Sequence, residues 1–304
     1  MILSTNYHGF SEQWKALLKS GLHEDGWQWD WTSLATTGQG ATSKKIMQAK
    51  VVAKSDGIWA ASSLVFALNQ LAKELGYSKE IVKSSFEDGD SFKVGAVLVN
   101  WKGPAPLVLA LERPFLNLAS YVSGIATATQ ILVNEVKRTC PQGTPRVTST
   151  RKTLPGYRDV GVLGVCAGGG YSHRVSLSGG VLIKENHIAA AGSISFAIEN
   201  ARRIAPHGLK IEVEVRSLFE LKQALRAEAD AVMLDNFTPS QVKEGLKIIS
   251  KARHSVVVEV SGGLNLGNIA TYAMPGVHIL SVGSLTHSVK TCDFSLLVQG
   301  VKKV

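Results

Sequence analysis

Cationic side chains cluster around two neighbouring segments in the second half of the chain, each with the aliphatic pattern of a strand. Arg151 and Lys152 follow the first segment and Lys184 ends the second, with His173 and Arg174 between them. Crowded like charges cost free energy unless an anion lies between them, and the planar guanidinium suits a carboxylate or phosphate. The cluster predicts an anionic ligand, with a solvated basic rim as the alternative.

Acidic side chains end the next two predicted strands. Glu214 and Asp235 are the last charged residues of consecutive strands, and Glu212 shares the face of Glu214 because strand side chains alternate. Such carboxylates can hold Mg²⁺ together with phosphate oxygens, or they can bind ribose hydroxyls. Structural pairing with nearby lysines and arginines is the alternative.

Small residues end the last two predicted strands. Ser261–Gly263 leads into a predicted helix over 265–272, and Gly283 follows the final strand. Backbone N–H groups at a helix N-terminus bind phosphate, so these turns predict a phosphate site; plain turns are the alternative. Three glycines at 168–170 are interpreted as backbone that makes room for a ligand.

The elements that position these residues form a repeated strand-then-helix pattern. The predicted strands are 146–150, 180–184, 211–215, 231–235, 256–260 and 277–282. Near-continuous aliphatic runs are typical of parallel strands covered on both faces. Functional groups at successive strand ends favour a TIM-type barrel over an open sheet, which would usually show a GxGxxG turn. Because the strands number six, the barrel is expected to be incomplete.

The first part of the chain predicts a small α+β unit. Strands are expected at 49–54 and 95–100, with a helix over 62–75. A long apolar stripe from Phe115 to Val136 then predicts one helix joining two domains. The small residues Ser123–Ala126 on this helix would let another backbone approach closely.

Composition and charge limit the class of protein. The 304 residues are 45% hydrophobic and 19% charged, which excludes a disordered or collagen-like chain. Lys and Arg exceed Asp and Glu by 33 − 24, a net charge of +9 that attracts phosphates, polycarboxylates or nucleic acid. Trp27, Trp29 and Trp31 alternate at strand spacing, which favours packing over base stacking.

The cysteines and apolar runs predict the compartment. Cys140, Cys166 and Cys292 are odd in number and lack metal-ligand spacing, as in proteins of a reducing cytoplasm. The N-terminus has no basic start followed by an apolar run, and no run of about 18 apolar residues occurs. The sequence therefore predicts a cytoplasmic chain that does not bind a membrane.

A series of motifs resembles the quinolinate phosphoribosyltransferase family, from about Glu87 to Leu296 and more weakly from Glu24-Asp25. The ordered motifs are Glu112–Asn117, Ser123–Thr127, Thr150–Thr153 with Pro155–Gly156, Ala167–Gly170, His173–Arg174, Leu182–Lys184 with Asn186–His187, Glu212–Glu214, Leu234–Asn236, Ser261–Gly263, and Ser281–Gly283 with Leu285–His287.

The resemblance implies an α/β fold: an incomplete TIM-like α/β barrel with an N-terminal α+β sandwich domain. The expected bounds are 1–117 for the N-terminal domain, 118–284 for the barrel, and 285–304 for a segment returning to the first domain. It also implies a homodimer with shared active sites. The implied reaction joins quinolinate to 5-phosphoribosyl-1-pyrophosphate with Mg²⁺, giving nicotinate mononucleotide, pyrophosphate and CO₂ in de novo NAD biosynthesis.

The resemblance also assigns roles to the matching positions. The expected quinolinate ligands are Arg151, His173, Arg174 and Lys184, with Arg113 entering from the other subunit. The residues expected to face the phosphoribosyl pyrophosphate are Lys152, Glu214 and Asp235, the last two also toward Mg²⁺, directly or indirectly. The residues expected at its 5′-phosphate are Ser261, Gly262, Gly263, Gly283 and His287.

The chain departs from the family pattern at several positions. Gly161–Cys166 replaces a charged stretch, Ser172 replaces an Asn, and Trp29 and Ala61 stand where Gly is usual.

Three alternatives remain: a phosphoribosyltransferase of the same fold acting on a mono-acid, the molybdenum-transport-associated paralogue, and a basic nucleic-acid-binding protein. The last is disfavoured because the basic residues are dispersed among strand ends without interleaved aromatics.

Overall fold

The computed structural model describes residues 8–37, 45–77 and 79–303. Its helices are α1 (His8–Glu24), α2 (Trp31–Thr37), α3 (Ser62–Glu74), α4 (Ala105–Thr139), α5 (Arg158–Ala167), α6 (Glu185–Ala191), α7 (Ile194–Ile204), α8 (Leu218–Arg226), α9 (Pro239–Ile249), α10 (Ile269–Tyr272) and α11 (Ser284–His287). Its strands are β1 (Lys45–Ala53), β2 (Gly57–Ile58), β3 (Val82–Ser84), β4 (Ser91–Phe92), β5 (Val97–Pro104), β6 (Arg146–Thr148), β7 (Val181–Ile183), β8 (Ile211–Val215), β9 (Ala231–Asp235), β10 (Val257–Ser261), β11 (Ile279–Ser281) and β12 (Phe294–Lys303).

The chain divides into two compact units. One unit comprises residues 1–127 together with 290–304, and the other comprises 128–289. The sequence places the divisions earlier, at 117/118 and 284/285, and the first division in the structure falls inside α4. Because the C-terminal residues belong to the first unit, the chain enters the barrel unit once and leaves it once.

The first unit is built on an antiparallel sheet with the order β12-β1-β5-β3. Alternate residues of β1 are buried, as expected for a strand with one covered face. The C-terminal strand β12 pairs with β1 from Ala53↔Phe294 to Lys45↔Lys303. Trp59, Phe92 and Phe294 form a cluster of aromatic rings, and α1 packs against α3.

Helix α4 confirms the predicted apolar stripe, with Phe115, Val122, Ile125 and Val136 fully buried. The helix begins earlier than the stripe, at Ala105, and continues through Pro114. By length and composition alone it could cross a membrane, but most of its most apolar window is buried inside the structure. A buried core helix passes the same test, so this finding alone does not indicate a membrane segment.

The second unit contains a six-stranded parallel sheet with the order β6-β11-β10-β9-β8-β7. All six predicted strands are confirmed, with bounds that differ by up to two residues at either end. The helices that follow β8 and β9 are capped by side chains: Ser217 and Thr238 accept the backbone N–H groups of Glu220 and Gln241. The sequence therefore specifies both the strands and the starts of the helices between them.

Three local predictions are wrong. The segment around Trp29 and Trp31 is a 3₁₀ turn followed by a helix, and these side chains are 68% and 72% exposed, so they do not pack in a core. Helix α10 is only four residues long and begins at Ile269. A Cβ on Gly170 would lie 2.8 Å from side-chain atoms of Thr129 and Val165, so this glycine accommodates packing rather than a ligand.

The predicted close approach at the small residues of α4 is confirmed at Gly124. A Cβ there would lie 2.9 Å from the Thr291 Cα and closer still to the carbonyl oxygen of Lys290. Backbone atoms cannot rotate away, so Gly124→Ala should lower the free energy of unfolding by about 1–3 kcal/mol. Urea denaturation measures this change. Gly208→Ala, where no atom lies within 4 Å of the added Cβ, is the matched control, and an equal effect of both substitutions would contradict the interpretation.

Candidate active site

A cavity of about 520 Å³ opens at the C-terminal ends of the parallel strands in the second unit. The predicted site residues that line it are Arg151, Lys152, His173, Arg174, Lys184, Glu214, Asp235, Ser261, Gly262, Gly263, Gly283 and His287. Arg113 is not among the lining residues and is exposed on α4, in the other unit. The strand ends therefore bring together every predicted site residue of this unit.

Two guanidinium groups form a cationic wall of the cavity. The buried Nε atoms of Arg151 and Arg174 have no hydrogen-bond partner among the described residues, although Arg174 Nη1 donates to the carbonyl oxygen of Gly180 at 2.8 Å. Burial, followed by the charge of Arg151, lowers the pKa of Arg174, while Glu212 opposes this shift. This wall offers charged donors that an arriving anion can satisfy.

Lys184 and Glu214 form a close ion pair beside this wall. Lys184 Nζ lies 2.6 Å from Glu214 Oε2, and the Glu214 side chain is buried whereas that of Lys184 is partly exposed. The pair joins the end of β7 to the next strand, β8. A buried carboxylate requires such a partner, so Lys184 neutralises Glu214 and retains other N–H donors that can bind an anion.

Asp235 ends β9 where the chain turns sharply. Asn236 adopts a left-handed conformation, and its amide Nδ2 donates to Asp235 Oδ2 at 2.7 Å. Gly262 lies against this turn with a φ of +100°, and a Cβ there would be 2.8 Å from the Asn236 backbone nitrogen. Glycine is therefore required at 262 both by its backbone conformation and by the close approach of Asn236.

The opposite part of the cavity is lined by small residues and by α11. Gly283 precedes α11, and the Thr286 hydroxyl on this helix donates to the Lys152 carbonyl at 2.7 Å. The Lys152 side chain is exposed and passes close to Gly283. His287 lines the same part of the cavity, with its Nδ1 atom 2.6 Å from the Ser288 hydroxyl. The small residues leave room beside the Lys152 side chain, a charged donor that suits a phosphate group.

The departures from the family pattern lie outside the cavity lining. Gly161–Cys166 forms most of α5, in which Gly161, Leu163, Gly164 and Val165 are buried. The Ser172 hydroxyl donates to the His173 carbonyl at 2.6 Å. These residues support the loop that carries His173 and Arg174, and none lines the cavity itself.

His173 lies between two carboxylates, of which Glu259 was not singled out from the sequence. Its Nε2 atom is 3.2 Å from Glu259 Oε2 and 3.6 Å from Glu212 Oε2. The signal for Glu259 is a single acidic residue within Val256-Val-Val-Glu-Val260, since a carboxylate inside an aliphatic strand must have a partner. His173, Glu212 and Glu259 could together ligate a metal ion by distance alone.

The two carboxylates, Glu212 and then Glu259, raise the pKa of His173 to about 10. One contact opposes them: the backbone N–H of Arg174 donates to His173 Nδ1 at 2.8 Å, which requires that nitrogen to be unprotonated. Two close carboxylates outweigh one backbone N–H, so the pKa of His173 is raised. Burial is the largest cause that raises the pKa of Glu212.

The family models for the N-terminal and C-terminal domains of quinolinate phosphoribosyl transferase match residues 30–123 and 125–297. The chain belongs to the quinolinate phosphoribosyltransferase family. This membership favours an enzyme over the nucleic-acid-binding alternative.

Individual relatives cover nearly the whole chain. A probable nicotinate-nucleotide pyrophosphorylase [carboxylating] of Bacillus subtilis is 38% identical over 93% of this chain and 93% of its own length. The human nicotinate-nucleotide pyrophosphorylase [carboxylating] is 36% identical, covering 92% of this chain and 90% of its own. The structure of the Francisella tularensis nicotinate-nucleotide pyrophosphorylase superposes with a TM-score of 0.82 at 32% identity, covering 95% and 97% of the two chains.

The raised pKa of His173 predicts a pH-dependent contribution to the stability of this family member. A group whose pKa is higher in the folded than in the unfolded chain stabilises below its unfolded value, near 6.5, and loses that effect as pH rises through its folded value. Near pH 6, the free energy of unfolding of the wild-type protein should therefore be larger than that of His173→Gln by on the order of 2 kcal/mol. The difference should shrink as pH rises from 6.5 to about 10.

Urea denaturation at several pH values tests this expectation. His23→Gln, at an exposed position on α1, serves as a matched loss of an imidazole. A difference between wild type and His173→Gln that stays constant from pH 6 to 10 would show that the two carboxylates do not hold a proton on the ring.

Proposed function

We propose that this chain converts quinolinate and 5-phosphoribosyl-1-pyrophosphate to nicotinate mononucleotide, pyrophosphate and CO₂, a type II phosphoribosyltransferase reaction of de novo NAD biosynthesis. The activity is that of a carboxylating nicotinate-nucleotide pyrophosphorylase, a pentosyltransferase. Family membership over most of the chain supports the reaction class. With Cys140, Cys166 and Cys292 all free thiols, the proposed compartment is the reducing cytoplasm.

The observation that carries the proposal is the pair of unpartnered, buried guanidinium nitrogens on Arg151 and Arg174. A buried charged donor without a partner costs more than one exposed to water, and a second cation nearby adds to that cost. A dianionic acid removes both costs because each carboxylate can accept from a guanidinium. Quinolinate, with adjacent carboxylates on one ring, has the charge and the number of acceptors that this wall lacks.

The proposed division of the cavity places the sugar pyrophosphate away from this wall. Lys152 and the backbone of Ser261–Gly263 and Gly283 contribute donors for phosphate, with His287 beside them. Glu214 and Asp235 lie between the two regions, at the ends of β8 and β9. Their negative charge favours the positive charge that develops on the ribose ring as pyrophosphate departs.

We propose Mg²⁺ as the cofactor, and the residues present fit it. Asp235 lines the cavity with a carboxylate whose one observed partner among the described residues is a neutral amide, so it can accept a hard cation. The Glu214 carboxylate is already neutralised by Lys184, so it fits an indirect role in binding Mg²⁺ rather than direct ligation of the ion. When bound, the ion neutralises charge on the pyrophosphate leaving group.

Catalysis under this proposal consists mainly of positioning and electrostatic stabilisation. Arg151, Arg174 and Lys184 hold the acid so that its ring nitrogen lies within attacking distance of the ribose C1 atom. The nitrogen–carbon bond forms as the bond to pyrophosphate breaks, and Lys152 stabilises the departing negative charge. The ribosylated nitrogen is cationic and stabilises the electron pair left on the neighbouring ring carbon when CO₂ leaves. That carbon then takes a proton from water.

The direct test of this function is incubation of the purified protein with both substrates and Mg²⁺. Nicotinate mononucleotide and CO₂ should form in equal amounts.

In competition, quinolinate should be preferred over nicotinate by roughly 10⁴-fold, because nicotinate leaves charged donors of the cationic wall unpaired. Labelled CO₂ from the quinolinate 2-carboxylate, measured alongside total mononucleotide, gives both the ratio of the two products and the preference for quinolinate over nicotinate. Equal use of nicotinate, or mononucleotide without stoichiometric CO₂, would instead favour the mono-acid transferase.

We further propose that the enzyme is a homodimer in which Arg113 completes the partner's site, since this exposed cation lies outside the unit that contains the cavity. Arg113→Ala and Arg151→Ala should each be inactive alone. Re-equilibrated mixtures should regain about one quarter of wild-type activity, because half of the dimers are mixed and each has one intact site. Mixtures as inactive as either variant alone would exclude a shared site.

A further inference from the structure

Glu259 is a buried carboxylate to which the reaction outlined above gives no role. It lies in β10 between the buried Val258 and Val260 and is fully inaccessible to solvent. Its Oε2 atom is 3.2 Å from His173 Nε2, and its Oε1 atom has no hydrogen-bond partner in the part of the chain that the structure describes. A carboxylate inside an aliphatic strand is costly, so its contact with His173 must offset a large desolvation penalty.

The contact fixes a ring that lines the cavity. His173 is held at Nε2 by Glu259, and its backbone N–H points toward the Ser149 hydroxyl at 3.4 Å. The charged groups that face the ring are Glu259 from β10 and Glu212 from β8, while the ring Nδ1 atom accepts the backbone N–H of Arg174. The ring therefore contacts the carboxylates inside the sheet and lines the same cavity as Arg151 and Arg174.

We propose that Glu259 is a positioning residue for the dicarboxylate substrate: through His173 Nε2 it orients the imidazole and supports its positive charge at the cationic wall. This inference rests on the proposed function, since it assigns the substrate bound there. The substitution Glu259→Gln keeps the size and one acceptor but loses the charge. The substitution His173→Asn removes the ring on which Glu259 acts. The two substitutions therefore act on one interaction, and their effects should not add.

The experiment compares Glu259→Gln, His173→Asn and the double variant in steady-state kinetics. Glu259→Gln should raise KM for quinolinate by roughly 10- to 100-fold, the range expected for a hydrogen bond to a charged group. It should leave KM for phosphoribosyl pyrophosphate within about twofold. In the His173→Asn background, Glu259→Gln should change KM for quinolinate by less than about threefold.

A pH profile separates this role from a merely structural one. The alkaline limb of kcat/KM for quinolinate should move to lower pH in Glu259→Gln, because loss of one carboxylate leaves the ring less able to keep its proton. Asp88→Asn is the matched control, since it removes a half-buried carboxylate that accepts the Ser62 N–H in the other unit. It should change neither KM for quinolinate nor the alkaline limb of kcat/KM. If Glu259→Gln does not fold, Glu259→Asp replaces it: the shorter side chain draws the carboxylate away from His173 Nε2, so KM for quinolinate should rise, and an unchanged KM would overturn the inference.

Unchanged KM for quinolinate in folded Glu259→Gln, or additive effects of the two substitutions, would overturn the inference. The wild-type assay separates this failure from failure of the proposed function. A wild-type protein that forms mononucleotide while Glu259→Gln matches it refutes only the role of Glu259. A wild-type protein that forms none refutes the function, and quinolinate binding by calorimetry then still measures the effect of Glu259→Gln.

Discussion

Repulsion between cations in one cavity wall is the constraint on which the rest of the site depends. Arg151 and Arg174 hold buried guanidinium nitrogens without partners, and the charge of Arg151 lowers the pKa of Arg174. A flexible chain would relieve this repulsion by moving the side chains apart into water. Here both side chains are held at the C-terminal edge of the parallel sheet by the segments between β6 and β7, and the folding of this unit offsets the cost.

A layer of carboxylates reduces the same repulsion from within the sheet. Glu212 and Glu259 face His173, and Glu214 pairs with Lys184, so acidic groups on two strands, β8 and β10, lie beside the cations. These carboxylates reduce the repulsion between the cations but leave the Nε atoms of Arg151 and Arg174 without partners, because their oxygens contact His173 and Lys184. The cavity is therefore prepared for an anion in the absence of one, which is the preorganisation that binding and catalysis require.

The sequence predicted the six parallel strands and the residues at their ends because both depend on local patterns. Aliphatic runs define the strands, and the polar residue that ends each run must lie at the common edge of the sheet. The role of Glu259 was not predicted because this residue lies inside an aliphatic run and not at its end. Its partner, His173, is distant in the sequence and is identified only by the three-dimensional structure. The glycine at 170 was misinterpreted because packing against Thr129 and ligand binding both require a missing side chain. The exposed Trp29 and Trp31 show that alternation over a few residues does not distinguish a strand from a turn and a short helix.

The central claim is that the cationic wall binds a dicarboxylate through the two unpartnered guanidinium groups. A crystal structure of the protein with bound quinolinate tests it most directly. The account predicts that the two carboxylates lie at the wall formed with Lys184, with Arg151 Nε and Arg174 Nε each within hydrogen-bond distance of a carboxylate oxygen. Quinolinate bound elsewhere in the cavity, with both nitrogens still unpartnered, would contradict it.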